Sequence, residues 1–240
     1  MSAAAPKRIP REERLIAALD VADTEQGKAL VQRLGDSVRF YKVGLELFMA
    51  GGVFEFIDWL AKRGNKVFAD LKFFDIPETV AAAVRGLRNR GVTFTTVHGN
   101  QAMLEAAGEA KGEVKILAVT ALTSLDQGDL DDLGFRCDVE KLVLSRARRA
   151  LEAGCDGVIS SGMEAPALKR ELGDRLLVVT PGIRPVENRP SDDQKRTVDV
   201  AQAFANGADY IVVGRPIRQA SDPHAAAQAI QRTIAKVFPA

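Results

Sequence analysis

Three charged side chains interrupt an apolar stretch at residues 68–80, which read FADLKFFDIPETV. Asp70, Lys72 and Asp75 stand there among phenylalanine, leucine and isoleucine residues. Burying an unpaired charge is costly, so these groups are expected to pair with one another. Two carboxylates would keep Lys72 protonated, and Lys42 would join them from a neighbouring strand. The pattern favours catalysis by a preorganised set of charges, with a purely structural ion-pair network as the alternative.

Eight short apolar runs recur along the chain, and each is followed by a segment of helical period. The runs cover residues 15–20, 38–44, 66–72, 94–99, 114–120, 157–161, 176–182 and 210–215. Alternating strands and helices require a parallel sheet, and eight units in about 225 residues match an α/β fold of the (β/α)8 TIM-barrel type. A doubly wound open sheet is disfavoured because no G-x-G-x-x-G turn follows the first run. We expect one barrel domain over residues 13–240, after a flexible lead-in at residues 1–12.

Active sites of such barrels lie at the C-terminal ends of the strands. The polar residues at those ends are Asp20, Lys42, Asp70, Lys72, His98, Thr120, Ser160, Thr180 and Arg215. Asp70 and Lys72 are two residues apart on one strand, so both should point to the same side as Phe68. Asp75 falls in the loop before a helix that should begin near Pro77. The sequence therefore predicts a charged site at one end of the barrel.

The loops after the seventh and eighth strands often bind phosphate in barrels. Here they carry TPGIRP at 180–185 and GRPI at 214–217. Their glycines allow backbone N–H groups to approach an anion, and Arg215 can bind one through two N–H groups. The connecting segment, residues 181–197, is long and polar for such a loop, which predicts either a lid or a disordered tip.

Composition narrows the classes of partner. Thirty-three basic residues nearly balance 32 acidic ones, which gives no electrostatic signature of nucleic-acid binding. Cys137 and Cys155 lack the spacing of a metal site, and we interpret them as reduced thiols of a cytoplasmic protein. No stretch has the apolar length of a signal peptide or membrane span, so no membrane association is expected.

The stretch FADLKFFDIPET resembles the D-x-K-x-x-D signature of the orotidine 5'-monophosphate decarboxylase family. Other motifs follow in the order of that family, from ALD, YKVG and TVHG to ALTS, TPGIRP and VVGRPI. The resemblance implies a (β/α)8 barrel that converts orotidine monophosphate to UMP and CO2 without metal or cofactor. It also implies a homodimer whose active sites lie at the subunit interface.

The resemblance also implies a set of site residues. The implied catalytic residues are Lys72, Asp70, Asp75 and Lys42; the implied substrate-binding residues are Asp20, Thr79, Ser124, Pro181, Arg184, Gln194, Gly214 and Arg215. Lys72 would donate a proton to C6 of the pyrimidine, beside Asp70, while Asp75 and Thr79 would reach the partner's site. Asp20 and Lys42 would hold the ribose.

Some implied contacts stay open. Ser124 would hydrogen-bond the pyrimidine, although Thr123 or Thr120 could take its place after a slip in the loop. Gln194 would link the lid to the base. Arg184 and Arg189 would either contact phosphate or keep the loop soluble.

Two other functions compete with this one. Mg²⁺-dependent sugar-phosphate decarboxylases and hexulose-phosphate synthases share similar motifs, but their second strand typically ends Glu-Val-Gly, and that glutamate helps to hold the metal. This chain has Lys42 there, and an ammonium would repel a divalent cation. A barrel that only binds phosphorylated ligands is the other alternative, and the retained charges argue against it. His98 is interpreted as a structural residue.

Overall fold

The computed structural model describes residues 7–184 and 197–239. Eight parallel strands form a closed barrel in chain order, which confirms the predicted (β/α)8 architecture and excludes an open sheet. The strands are β1 Leu15–Ala18, β2 Phe40–Gly44, β3 Lys66–Phe73, β4 Val92–Val97, β5 Lys115–Val119, β6 Gly157–Ile159, β7 Leu177–Thr180 and β8 Tyr210–Val213. Each overlaps one of the predicted runs.

Helices follow the strands around the outside of the barrel. Those in the described residues are α1 Thr24–Leu34, α2 Leu45–Met49, α3 Val53–Lys62, α4 Pro77–Gly86, α5 Gln101–Ala110, α6 Gln127–Asp132, α7 Val139–Glu152, α8 Ala165–Leu172, α9 Val200–Ala205, α10 Arg215–Arg218 and α11 Pro223–Val237. Local sequence sets several of their starts. The carboxylates of Asp23 and Asp138 cap α1 and α7 by accepting backbone N–H groups, and Pro77 opens α4 as predicted. None of these described helices is both long and apolar enough to cross a membrane.

Aromatic side chains fill much of the barrel interior. Phe94 lies at the centre of this group, with its ring centroid 5.0 Å from that of Phe40 and 5.2 Å from that of Tyr210. Phe68 also packs in the interior, whereas Ala69 and Leu71 are buried in the layer between strands and helices. The predicted alternation along β3 is therefore confirmed up to Leu71, and it turns Asp70 towards the interior.

Residues before β1 contact the end of the barrel that is opposite the C-terminal ends of the strands. The Lys7 Nζ lies 2.6 Å from an Asp209 carboxylate oxygen, immediately before β8, and Ile9 packs against the interior cluster. Arg14 donates a hydrogen bond to the Asp209 carbonyl oxygen at 3.0 Å. These contacts cover part of the N-terminal end of the barrel, opposite the end at which the sequence predicts the charged site.

Candidate active site

A cavity of about 540 Å³ opens at the C-terminal ends of the strands. Its lining comes from seven of the eight strands or the loops that follow them. Of the predicted site residues, it is lined by Asp20, Lys42, Asp70, Lys72, Ser124, Pro181, Arg184, Gly214 and Arg215. Phe68, Ile159 and Val212 provide an apolar surface between these polar groups. The cavity thus combines charged groups, loop residues and an apolar surface, a mixture that is typical of small-molecule sites.

Four residues form what we call the charge array: Asp20, just after β1, Lys42 on β2, and Asp70 and Lys72 on β3. The Asp70 Oδ2 atom lies 2.9 Å from Lys72 Nζ and 3.4 Å from Lys42 Nζ. Lys42 Nζ also donates a hydrogen bond to Asp20 Oδ1 at 3.1 Å. Negative and positive groups therefore alternate across the array, and their attraction offsets the free-energy cost of burying charges in an apolar stretch.

Ionisation within the array follows from these contacts. Burial alone would lower the pKa of Lys42, but Asp70 and Asp20 outweigh it and raise that pKa above its usual value. Burial alone would raise the pKa of Asp70, but Lys42 and Lys72 outweigh it and lower that pKa. Lys42 is therefore an ammonium and Asp70 a carboxylate at neutral pH.

The backbone at Lys72 departs from a regular strand. Ala69 of β3 pairs with Thr95 of β4, and the next pair is Phe73 with Val97, so the register shifts between Ala69 and Phe73. Lys72 itself has a φ of 49°, which is uncommon for a residue with a side chain. A bulge of this kind re-aims a side chain. The orientation of Lys72 is therefore set by the bulge as well as by simple alternation.

Loops after β7 and β8 supply cationic groups on the other side of the cavity. Arg215 and Arg218 are three residues apart in α10, and Arg184 follows β7; all three line the cavity. Gly214 connects this side with the charge array, because a Cβ atom there would lie 3.4 Å from Asp20 Oδ2. A ligand that bridges the two sides would thus place its anionic group near the arginines.

The loop after β5 distinguishes the three candidate hydroxyl groups. Thr123 and Ser124 both line the cavity. Thr120 is fully buried, and its hydroxyl donates a hydrogen bond to the carbonyl oxygen of Ile159 at 2.8 Å. A ligand in the cavity can therefore reach Thr123 and Ser124, whereas the hydroxyl of Thr120 is used in a hydrogen bond to β6.

Two predicted site residues that the structure describes are not brought into the cavity of the same chain. Asp75 and Thr79 are exposed outside it, and Asp75 Oδ1 accepts a hydrogen bond from the backbone N–H of Ile76 at 2.7 Å. Phe74 and Ile76 beside them are also largely exposed. Gln194 lies outside the described residues, as does most of the segment 181–197.

Sequence reasoning missed three charged or hydroxyl-bearing residues of the site. Glu46 and Arg218 line the cavity, and Thr96 touches both Asp70 and Lys72 from β4. The buried Arg218 Nε has no hydrogen-bond partner within the described ranges. A signal existed for Arg218, because it is one helical turn from Arg215; Thr96 gave none, since a threonine in a strand is ordinary.

His98 stands apart from the cavity. Burial lowers its pKa to about 4, and the positive charges of Arg146 and Lys72 contribute in the same direction. Its ring contacts that of Phe74 edge to face at a centroid distance of 6.2 Å. A neutral, packed imidazole fits the structural interpretation. Within the described part of the chain, no group of three or more His, Cys, Asp or Glu residues is arranged to hold a metal ion.

Comparisons with known proteins agree over nearly the whole chain. The family model described as "Orotidine 5'-phosphate decarboxylase / HUMPS family" matches residues 13–230. Orotidine 5'-phosphate decarboxylase of Methylococcus capsulatus is 66% identical over 234 residues, which is 98% of this chain and 97% of that protein. The enzyme of the same name from Xanthomonas euvesicatoria is 53% identical over 237 residues, covering 98% of this chain and 97% of its own.

Solved structures show the same likeness. The crystal structure of orotidine 5'-phosphate decarboxylase from Lactobacillus acidophilus has a TM-score of 0.82 and 39% sequence identity, covering 92% of this chain and 99% of that one. The structure of the enzyme of the same name from Pyrococcus horikoshii has a TM-score of 0.71 and 28% identity, covering 92% and 98% of the two chains.

Proposed function

Because the chain belongs to the orotidine 5'-phosphate decarboxylase / HUMPS family, we propose that it is the carboxy-lyase that converts orotidine 5'-monophosphate to UMP and CO2 in pyrimidine biosynthesis. The charge array is the observation that carries this proposal. It places an ammonium, Lys72, in the lining of a cavity that also has an apolar surface and a set of arginines.

Lys72 has the central chemical role. When the bond between C6 and the carboxylate breaks, its electron pair stays on C6 in an sp² orbital that the ring cannot delocalise. The Lys72 ammonium stabilises this developing charge electrostatically and then transfers a proton to C6. The resulting amine regains a proton from water, so the net reaction consumes one proton and releases CO2.

The other members of the charge array position Lys72 and the groups around it. Asp70 Oδ2 lies 2.9 Å from Lys72 Nζ, and this carboxylate is placed beside the leaving CO2. Lys42, fixed by Asp20 and Asp70, keeps the Asp70 carboxylate ionised. Asp20 and Lys42 also lie between Lys72 and the cationic loops, where they can bind the ribose hydroxyl groups.

The phosphate of the substrate binds at the loops after β7 and β8. Arg215 binds the phosphate through two N–H groups, and Arg184 lies on the same side of the cavity. Gly214 and Pro181 bring the backbone of the two loops close to the phosphate. Residues 185–196, which include Gln194 and most of the predicted lid 181–197, lie outside the described part of the chain, and closure over the phosphate with Gln194 reaching the base stays a prediction. Phosphate contacts far from C6 would then contribute to the chemical step.

The pyrimidine lies between the two sides, where Ser124 hydrogen-bonds it. Access supports this assignment, since Ser124 lines the cavity and Thr120 does not. Thr123 shares that access and is the competing residue.

The active form is a homodimer with shared active sites. Asp75 and Thr79 of one subunit complete the site of the other, which explains why both are exposed and outside the cavity of their own chain. Phe74 and Ile76, with 70% and 66% of their surface exposed, give the same region the apolar character of a subunit interface.

The second candidate is a Mg²⁺-dependent reaction of a sugar phosphate, because the family also includes such enzymes. Lys42 argues against it. In the sequence, Lys42 stands where the metal-dependent enzymes typically have the glutamate that helps to hold the metal. Its ammonium is buried and held there by two carboxylates. A divalent cation there would meet a fixed positive charge.

The protein works in the cytoplasm, on a small molecule. Both described thiols, Cys137 and Cys155, are free, which suits a reducing compartment. The nearly equal numbers of basic and acidic residues give no support for nucleic-acid binding.

The test is the absorbance loss of orotidine monophosphate with excess EDTA present. Rapid formation of UMP is expected, with no change on adding Mg²⁺. No turnover in EDTA, followed by turnover with Mg²⁺ or with a keto-sugar phosphate, would assign the chain to the metal-dependent branch.

A further inference from the structure

Thr96 occupies the gap that the bulge in β3 creates. The pairs Ala69–Thr95 and Phe73–Val97 flank this gap, so three residues of β3, Asp70 to Lys72, face Thr96 alone on β4. Thr96 is fully buried and does not line the cavity. It therefore lies behind the charge array and out of reach of the substrate.

The Thr96 hydroxyl joins the two reactive residues. Its oxygen accepts a hydrogen bond from the backbone N–H of Lys72 at 2.9 Å, and its O–H donates to Asp70 Oδ1 at 2.8 Å. A hydroxyl has a single proton, and the Lys72 N–H can only donate, so the proton must point to Asp70. Both roles of the hydroxyl are thereby determined.

These two bonds act on different parts of the array. Because Oδ1 of Asp70 is occupied by Thr96, Oδ2 is left facing the ammonium groups of Lys72 and Lys42. The bond to the Lys72 N–H holds the backbone where φ is 49°, a conformation that a non-glycine residue adopts only when its surroundings impose it.

We propose that Thr96 is a positioning residue for the decarboxylation, whose hydroxyl fixes the Asp70 carboxylate and the Lys72 backbone relative to each other. It touches no substrate atom and acts only through its two neighbours. The proposal rests on the proposed function for its kinetic consequences, but its geometric content concerns this chain alone.

The test compares Thr96→Val with Thr95→Val. Valine keeps the shape of threonine and removes the hydroxyl. Thr95 is a matched control, because it is also fully buried on β4 but donates to the Ala69 carbonyl oxygen at 2.9 Å, away from the array. Thr96→Ser restores the hydroxyl and is the rescue variant.

We expect Thr96→Val to lower kcat by about 10- to 100-fold, the size of effect that a small misplacement of reacting groups produces. KM and the affinity for UMP should change by less than about twofold, since substrate contacts are kept. Thr96→Ser should recover most of kcat, and Thr95→Val should leave it near wild type. Equal kinetic losses in the two valine variants, or failure of serine to rescue, would overturn the proposal.

Crystal structures of wild type and Thr96→Val separate this inference from the proposed function. The Asp70–Lys72 contact or the Lys72 backbone should be displaced in the variant, whether or not the protein acts on orotidine monophosphate. An unchanged array in Thr96→Val would overturn the positioning role, while an inactive wild type would overturn only the proposed function.

Discussion

Replacing Asp70 with asparagine should destabilise the protein strongly, because the substitution keeps the shape and removes one charge between two lysines. The Asp70 Oδ2 atom is 2.9 Å from Lys72 Nζ and 3.4 Å from Lys42 Nζ. At an effective dielectric constant of about 20, those distances correspond to attractions of about 6 and about 5 kcal/mol.

The net effect is smaller than these attractions. The carboxylate no longer has to be buried, Lys42 keeps Asp20, and the Lys72 side chain is 33% exposed, so water screens part of its charge. Removing one partner of a buried pair typically costs 3–5 kcal/mol. We expect Asp70→Asn to lower the free energy of unfolding by about 3 kcal/mol, at the low end of that range.

Urea unfolding followed by circular dichroism, at one protein concentration, measures this loss. Asp174→Asn is the matched control: Asp174 also pairs with a lysine, Lys169, at 2.9 Å, but its side chain is 54% exposed. That variant should lose less than about 1 kcal/mol.

The pH dependence provides a second readout of the same substitution. The pKa of Asp70 is held below its ordinary value of 3.8, although burial alone would raise it, because Lys42 and Lys72 outweigh burial. Its contribution to stability is therefore complete above that value and is lost as the pH falls through the lowered pKa. The difference between wild type and Asp70→Asn should shrink below about pH 4. Equal losses in Asp70→Asn and Asp174→Asn at neutral pH would refute this account of the charge array.

Three further predictions concern the remaining parts of the molecule. Arg215→Ala should raise KM strongly and weaken UMP binding while leaving uridine binding unchanged, as isothermal calorimetry would show; equal losses for both ligands would contradict a phosphate contact. Gly44→Ala should lower kcat, because the added Cβ would lie 3.0 Å from Lys42 Nζ, and unchanged steady-state kinetics would show that the ammonium can move freely. Cys155 should resist a thiol reagent in the native protein while Cys137 reacts, because burial raises the pKa of the Cys155 thiol to about 12; both should react in urea, and native labelling of Cys155 would contradict its burial.

The fold and most of the cavity followed from sequence because the relevant signals are local or repeated. Eight alternating runs required a parallel barrel, and the C-terminal ends of its strands placed Asp20, Lys42, Asp70 and Arg215 around one opening. The pairing of Lys42 with two carboxylates followed in turn from the cost of burying a lone charge.

The geometry around Lys72 could not be predicted in the same way. Its positive φ depends on how β3 and β4 are registered, and that register is set by contacts between strands that are distant in sequence. Thr96 was missed for this reason, since only the register brings its hydroxyl to Asp70. Asp75 was expected near the other charges, but a single chain leaves it exposed, and its role stays a prediction about the partner's site.

Turnover of Lys72→Ala, measured beside its affinity for UMP, tests the central claim most directly. Lys72 lines the cavity, lies 2.9 Å from Asp70, which is nearer than the 3.4 Å of Lys42, and carries a proton that it can give. We expect turnover of orotidine monophosphate to be abolished and UMP binding to be largely kept. Substantial remaining turnover in a correctly folded Lys72→Ala protein would contradict the assignment of Lys72 as proton donor, and with it the proposed mechanism.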